Sequence, residues 1–291
     1  MVDLHKIGPQ ILVVDIAIFN IVGNFGNFNL IWSTVRKKEM RSKAGYLLAI
    51  NAVYQSVCLI SQLVNLVVIV TNVSIERRTC YPIVVPFIIT CSQQATMAFA
   101  IALDLLIALV FPLRYRKFKT VPYLVVLCTP SWIFALFFTI YGWVMIDNEI
   151  LQFCNVIFSF QPDVLNLWTR TNVLINIGVL IVYLSIFIKL KSKSQPSAYK
   201  EYRRAVRRLS VIVLLFVFSW FAGLLGSTIL IALHVPPEIM PDLQINVSFF
   251  TLLCYSQNYY KIKKSFTKYC DCRSKYNNYH CHRQKEKYSS N

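Results

Sequence analysis

The chain has 291 residues, of which 56% are hydrophobic and only 15% are charged, and its mean hydropathy is +0.52. Soluble domains carry about 25% charged residues, so this composition excludes an ordinary water-soluble protein. The formal net charge of +17 could indicate nucleic-acid binding. The positive residues, however, lie mainly between and after long apolar stretches, which is the pattern of a membrane protein and argues against a nucleic-acid partner.

Seven apolar segments are each long enough to cross the ~30 Å hydrocarbon core of a bilayer as a helix. In chain order they are residues 10–33, 45–71, 82–111, 122–145, 166–190, 209–233 and 243–260. The first segment is too long for a cleaved signal peptide, so we expect an uncleaved signal anchor. No internal repeat is visible, and the sequence therefore predicts an all-α membrane fold, a single seven-transmembrane helix bundle.

The Lys and Arg residues are distributed asymmetrically along the chain. All but four of the 30 follow the first, third, fifth and seventh segments, so they lie on one side of the membrane. That side is cytoplasmic by the positive-inside rule, and its basic residues also contact anionic membrane lipid. We therefore predict a multi-pass plasma-membrane protein. Its parts are an extracellular N-terminus (1–9), a transmembrane domain with a short amphipathic eighth helix (10–268) and a disordered cytoplasmic tail (269–291).

The cysteines follow the same topology. Cys80 and Cys154 are the only two of the nine cysteines on the predicted outer face. Two thiols in an oxidising compartment normally pair, so we predict a disulfide bond between them. This bond would tie the outer end of the third segment to the loop between the fourth and fifth segments.

The third segment carries an acidic residue at its other end. Asp104 follows Cys80 by 24 residues, which is about 36 Å of helix, so the two residues lie at opposite rims. A carboxyl group at membrane depth is a functional candidate by default. The alternative is that Asp104 extends into the interface beside Arg114 and Arg116.

Several short motifs occur in the order and spacing of a known receptor family. They are Gly26-Asn27, Trp132, the stretch 104–113 that closes the third segment, Phe216 with Trp220, and Tyr260 with Phe266. With the cysteine that opens the third segment, they resemble the family 1 (rhodopsin-like) G-protein-coupled receptors. More narrowly, residues 23–27, 40–43, 104–115 and 255–260 resemble the nematode serpentine chemoreceptors of the Srsx class.

The resemblance implies a chemosensory receptor that binds a small external ligand and signals to a heterotrimeric G protein, located on sensory cilia. The residues it assigns to G-protein coupling are Asp104, Leu105, Pro112, Tyr115 and Tyr260. No cofactor or metal is expected, and a receptor dimer remains an open question.

Some positions depart from the wider family. Leu105 occupies the position of the arginine that pairs with the neighbouring acid. Asp104 must therefore stay hydrated, pair with Arg114, Arg116 or a basic residue of the third loop, or become neutral. Gln55 replaces the usual aspartate of the second segment. The sixth and seventh segments lack their prolines, which removes two built-in kinks. The sequence therefore indicates a divergent switch.

A ligand pocket is expected in the outer half of the bundle, where such cavities are mostly apolar with a few polar groups. Helical spacing places these residues on the inward stripes: Phe87, Cys91, Gln94, Trp220, Leu224, Ser227, Asn246 and Phe250. No acidic residue lies near Phe87, so the pocket suits a small neutral compound better than an amine. Ordinary core packing is the alternative for each aromatic residue. Asp147, Glu149 and Asp163 of the outer loops are either solvated charges or attractants for a basic peptide.

Two kinds of modification are predicted. Cys270 and Cys272 directly follow the basic amphipathic segment 261–268, a position suited to palmitoylation. Idle reduced thiols are the alternative, and a metal site is disfavoured by the spacing. Asn72 begins a glycosylation sequon on the outer face, close to the membrane.

Other function classes fit the sequence less well. No catalytic constellation occurs at membrane depth, so we expect no enzyme activity, and a transporter would carry repeats or buried ionisable residues. A peptide-activated receptor and a seven-span ligand-gated channel remain as alternatives. The channel type would have its N-terminus inside, opposite to the charge distribution.

Overall fold

The computed structural model of this chain describes residues 4–71, 74–151, 154 and 156–192. The predicted sixth and seventh segments and the tail lie outside the described residues. In chain order, the helices are α1 (Leu4–Arg36), α2 (Lys43–Thr71), α3 (Arg77–Val110), α4 (Pro112–Lys117), α5 (Thr120–Val144), α6 (Val156–Ser159) and α7 (Pro162–Ser192), with a 3₁₀ turn at Lys38–Met40. Each of the first five predicted segments therefore falls within one long helix, to within a residue at its end.

Most of the long helices have the length and composition of membrane spans. Among the described residues, four helices qualify, with spans Lys43–Val68, Arg77–Val110, Thr120–Val144 and Pro162–Lys189. Their outward faces are apolar: Val126 and Ile133 on α5, for example, are 72% and 63% exposed. Surfaces of this kind are stable in lipid and not in water, so the predicted all-α membrane bundle is confirmed.

Local chemistry explains where several helices begin and end. The Oγ of Ser42 accepts a hydrogen bond from the backbone N–H of Gly45 at 3.1 Å, which caps α2. Pro112 cannot continue α3, and the preceding residue, Phe111, leaves the helical conformation with φ −121° and ψ 57°. The same proline then provides the first position of α4, where its missing N–H has no cost.

Helix α3 is the centre of the bundle. It packs against α2, α5 and α7, and 19 of its 34 residues are buried, compared with 5 of the 25 residues of α5. Two apolar clusters surround it. One includes Tyr81, Ile88 and Phe138, and the other includes Met97 and Val179. Any group on α3 is therefore held in place by several other helices.

A two-stranded antiparallel sheet closes one end of the bundle. Strand β1 (Ile75–Glu76) precedes α3, and strand β2 (Ile150–Leu151) follows α5, with Ile75 paired to Leu151 and Glu76 to Ile150. This sheet fixes the loop after α5 against the start of α3.

Gly142 marks a close approach between α5 and α3. A methyl group at this position would overlap the Tyr81 hydroxyl and come within 2.8 Å of the Phe160 ring. The Tyr81 hydroxyl also donates to the Thr139 carbonyl at 2.8 Å, so it cannot move away without losing that bond. Glycine is therefore required here by packing.

Gly142→Ala should lower the free energy of unfolding by about 1–3 kcal/mol, the usual cost of overpacking. Gly26→Ala is the matched control, since a methyl group there meets no atom of the described residues within 4 Å. The control should be neutral or stabilising by up to ~1 kcal/mol through helix propensity. Thermal unfolding of the purified protein in detergent measures both, and equal midpoints for the two variants would contradict the assignment.

Candidate functional sites at the two ends of the bundle

The end of the bundle at Cys80, called the disulfide end below, contains the disulfide predicted from the sequence. Cys80 and Cys154 are joined, with their Cα atoms 5.6 Å apart, and both residues are fully buried. The bond connects the first turn of α3 to the segment between α5 and α7.

Arg77 is a second connection at the disulfide end, which sequence reasoning missed. Its backbone N–H donates to the Glu149 carbonyl at 2.8 Å. Its guanidinium donates to the Asp147 carboxylate, to the Glu149 carboxylate at 2.7 Å and to the Phe158 carbonyl at 3.1 Å. Asp147 and Glu149 are therefore not purely solvated charges, and their pairing leaves less negative charge for a basic peptide. The sequence did contain one indication of this pairing, because Asp147 and Glu149 are acidic and Arg77, on the same predicted side of the membrane, is basic.

The predicted pocket residues of α3 are held mainly in the core. Phe87 is 6% exposed and belongs to the apolar cluster with Ile88. This agrees with ordinary core packing, which was the alternative to ligand contact. Gln94 is 7% exposed, and within the described part of the chain its Nε2 has no hydrogen-bond partner. Whether these residues touch a ligand stays a prediction.

A buried polar row, defined as Ser92, Gln93, Asn172 and Asn176, runs along α3 and α7. The Trp168 Nε1 donates to the Ser92 Oγ at 3.0 Å, and the Asn172 Nδ2 donates to the Trp168 carbonyl at 2.8 Å. Within the described part of the chain, neither polar atom of the Gln93 side chain has a hydrogen-bond partner, nor does the Oδ1 of Asn172 or Asn176.

The buried polar row was not predicted, although its residues form a visible pattern. Consecutive polar residues interrupt the apolar third segment at 92–94, and two asparagines four apart occupy one face of the fifth. Buried polar atoms without partners cost about 1–3 kcal/mol each. The row is therefore a candidate contact for a polar ligand group or for water.

The opposite end of α3, called the Asp104 end below, contains a buried acid with two tyrosine partners. Asp104 is 1% exposed, and its Oδ1 accepts hydrogen bonds from the Tyr115 hydroxyl at 3.0 Å and the Tyr123 hydroxyl at 2.9 Å. Arg114 and Arg116, the neighbours expected from the sequence, have exposed side chains. Among the described residues, the partners of Asp104 are thus two tyrosines, one on α4 and one on α5, whereas most of the basic residues expected from the third loop lie outside the described part of the chain.

Lys43 lies directly behind these tyrosines. Its Nζ donates to the Tyr115 carbonyl and lies 4.3 Å from the Tyr115 ring centroid, 5.1 Å from that of Tyr123 and 5.7 Å from that of Phe118. Lys43 is only 8% exposed and interacts electrostatically with Asp104. A buried ammonium group is thus enclosed by a carbonyl and three ring faces, an arrangement typical of cation–π binding.

The other predicted coupling residues occupy different environments. Leu105 is 7% exposed and packs in the apolar cluster with Met97, whereas Pro112 is exposed at the start of α4. Helix α4 presents Leu113, 76% exposed, together with its basic residues. The following predicted residues lie outside the described part of the chain: Asn72, Trp220, Leu224, Ser227, Asn246, Phe250, Tyr260, Cys270 and Cys272.

An apolar bundle with a disulfide at one end of its central helix and a buried acid beside a short basic helix at the other has the architecture of a serpentine membrane receptor. Residues 20–271 match the family model described as "Serpentine type 7TM GPCR chemoreceptor Srsx". The match spans most of the chain, including the predicted sixth and seventh segments, so the chain belongs to this family. It is a multi-pass membrane protein of a receptor family rather than an enzyme family. No curated protein matches the chain.

Proposed function

We propose that this chain is a chemosensory receptor that binds a small external ligand in the disulfide half of the bundle and activates a heterotrimeric G protein at the Asp104 end. Its membership of the serpentine chemoreceptor family supports the receptor function. The observation that carries the coupling step is the buried Asp104 cluster, which lies beside the exposed basic surface of α4. A positively charged, partly apolar surface suits an acidic, amphipathic segment of a transducer.

The ligand is a neutral compound that carries both a hydrogen-bond donor and an acceptor. Gln93, Asn172 and Asn176 supply amide groups of both kinds without contributing a charge. These atoms are closed off in the present conformation, so contact with a ligand requires the helices around them to separate. Binding would in this way be linked to a change in helix packing. A peptide is less favoured, because Arg77 already engages Asp147 and Glu149.

Activation is a population shift between two arrangements of the helices. The bound ligand favours an arrangement in which the cytoplasmic ends of the fifth and sixth segments move apart, and the opened cavity admits the transducer. The N-terminus is extracellular and the tail cytoplasmic, in the plasma membrane of sensory endings. Palmitoylation at Cys270 and Cys272 and glycosylation at Asn72 belong to the same proposal.

Leu105→Arg tests the coupling step. The variant restores the cation that the wider family carries next to its acid, so we expect a several-fold increase in basal signalling, measured by calcium or cyclic nucleotide in transfected cells. Leu105→Met is the matched control, because it keeps an apolar side chain of similar volume. Labelling of an N-terminal epitope on unpermeabilised cells normalises the signal to surface receptor. A positive label on unpermeabilised cells would also exclude the channel topology, in which the N-terminus lies inside the cell.

Unchanged basal signalling in the arginine variant, at normal surface density, would count against a transducer site at Leu105. A screen of neutral amides and alcohols on the wild-type receptor, compared with charged acids and amines and read by the same signal, tests the ligand class.

A further inference from the structure

We propose that Lys43 is a positioning residue of the coupling surface, which holds α4 in place and so supplies the cation that is missing at Leu105. The inference rests on the proposed G-protein coupling and names the residue that orders its contact surface. Lys43 belongs to α2 and lies far from Asp104 in the sequence, so no local motif indicates it.

Helix α4 cannot be ordered by its own hydrogen bonds. It has six residues, and isolated helices this short are unstable in water because nucleation is unfavourable. None of its residues is buried. Its order must therefore come from contacts with the long helices.

These contacts converge on Tyr115. The Tyr115 hydroxyl donates to Asp104 on α3, its ring packs edge-on against Tyr123 of α5 with centroids 5.7 Å apart, and both its carbonyl and its ring contact Lys43 of α2. One residue of α4 is thus attached to three helices. The contact with α2 uses a main-chain carbonyl, which fixes the backbone of α4 as well as a side chain.

Lys43 is itself fixed by its position. It is the first residue of α2, immediately after the Ser42 cap, so its backbone is anchored by the start of a long helix. Its ammonium group also lies within 5.7 Å of the Phe118 ring, just beyond the end of α4. Lys43 therefore contacts both α4 and the residue that follows it, and its loss would release this whole segment.

The experiment uses the full-length receptor in lipid nanodiscs and compares Lys43→Met with Lys43→Arg. The methionine variant keeps the apolar stem and removes the cation, and the arginine variant keeps a cation that can stack on rings and donate to a carbonyl. Tyr115→Phe is a third variant, which removes the bond to Asp104 but keeps the ring and carbonyl that Lys43 contacts. Hydrogen–deuterium exchange is followed at residues 113–119, with α5 and α7 as internal references.

We expect Lys43→Met to increase exchange at residues 113–119 by about tenfold, since it removes both a charge-assisted hydrogen bond and the ring contacts. Exchange in α5 and α7 should stay unchanged, which distinguishes local release from general misfolding. Lys43→Arg should restore most of the protection. Basal nucleotide exchange on a panel of heterotrimeric G proteins should fall several-fold in Lys43→Met and recover in Lys43→Arg.

Unchanged exchange at residues 113–119 in Lys43→Met would overturn the proposal. Released α4 with undiminished G-protein activation would overturn its link to coupling. If the wild-type receptor activates no G protein of the panel, the proposed function fails instead, while the exchange measurement still decides whether Lys43 positions α4.

Discussion

Replacement of Cys80 or Cys154 by serine is expected to remove most of the receptor from the cell surface. The disulfide closes a loop of 74 residues that contains α4, α5 and most of α3. Chain-entropy arguments give about 4 kcal/mol for a loop of this length. This value is an upper bound here, because helices that are already inserted in a membrane have less freedom to lose. Surface density is measured by labelling an N-terminal epitope on unpermeabilised cells.

The double variant, with serine at both positions, separates loss of the bond from damage by a stray thiol. It should lose as much surface receptor as either single variant. Cys91→Ser is the matched control, since Cys91 lies on the same helix and is a free thiol. Near-normal surface density in the double variant would show that the sheet and Arg77 suffice without the disulfide.

Asp104→Ala is expected to destabilise the protein by about 3 kcal/mol. The Asp104 Oδ1 accepts two hydrogen bonds, and each contributes roughly 1.5 kcal/mol when the acceptor is buried and strongly polar. The substitution also leaves the Tyr115 and Tyr123 hydroxyls without this acceptor. Thermal unfolding in detergent should show a clear fall in midpoint, accompanied by altered basal signalling.

Asp104→Asn distinguishes hydrogen bonding from charge at this position. Its amide oxygen can still accept both tyrosine hydroxyls, so it should lose less than half as much stability as the alanine variant. Equal losses in the two variants would show that the negative charge near Lys43, and not the pair of hydrogen bonds, stabilises the cluster.

The features that the sequence predicted depend on one-dimensional patterns. Hydropathy along the chain is enough to locate the five long helices, because each falls on one of the apolar segments. The pairing of Cys80 with Cys154 follows from the predicted topology alone, because they are the only two cysteines on the predicted outer face. Asp104 could be selected as a functional candidate because a carboxyl group within an apolar segment is rare.

The partners of these groups could not be predicted, because they depend on how the helices rotate and pack. Tyr123 lies on α5 and Lys43 on α2, and only the bundle brings both to Asp104. The sequence instead indicated Arg114 and Arg116 among the alternatives, and the side chains of both are exposed. The buried polar row could not be predicted for the same reason, since the sequence pattern at 92–94 does not reveal which helix each side chain faces.

The loop after α5 is attached to α3 in three chemically different ways: a covalent bond at Cys154, a backbone ladder at Ile150 and Leu151, and ion pairs from Arg77. Breaking any one of them leaves the other two, so the described residues of this loop are held against α3 as a fixed element. In the proposed receptor, a ligand that arrives at the disulfide end would therefore meet a preformed surface. Its association rate would follow diffusion, because no opening of these residues would have to precede binding.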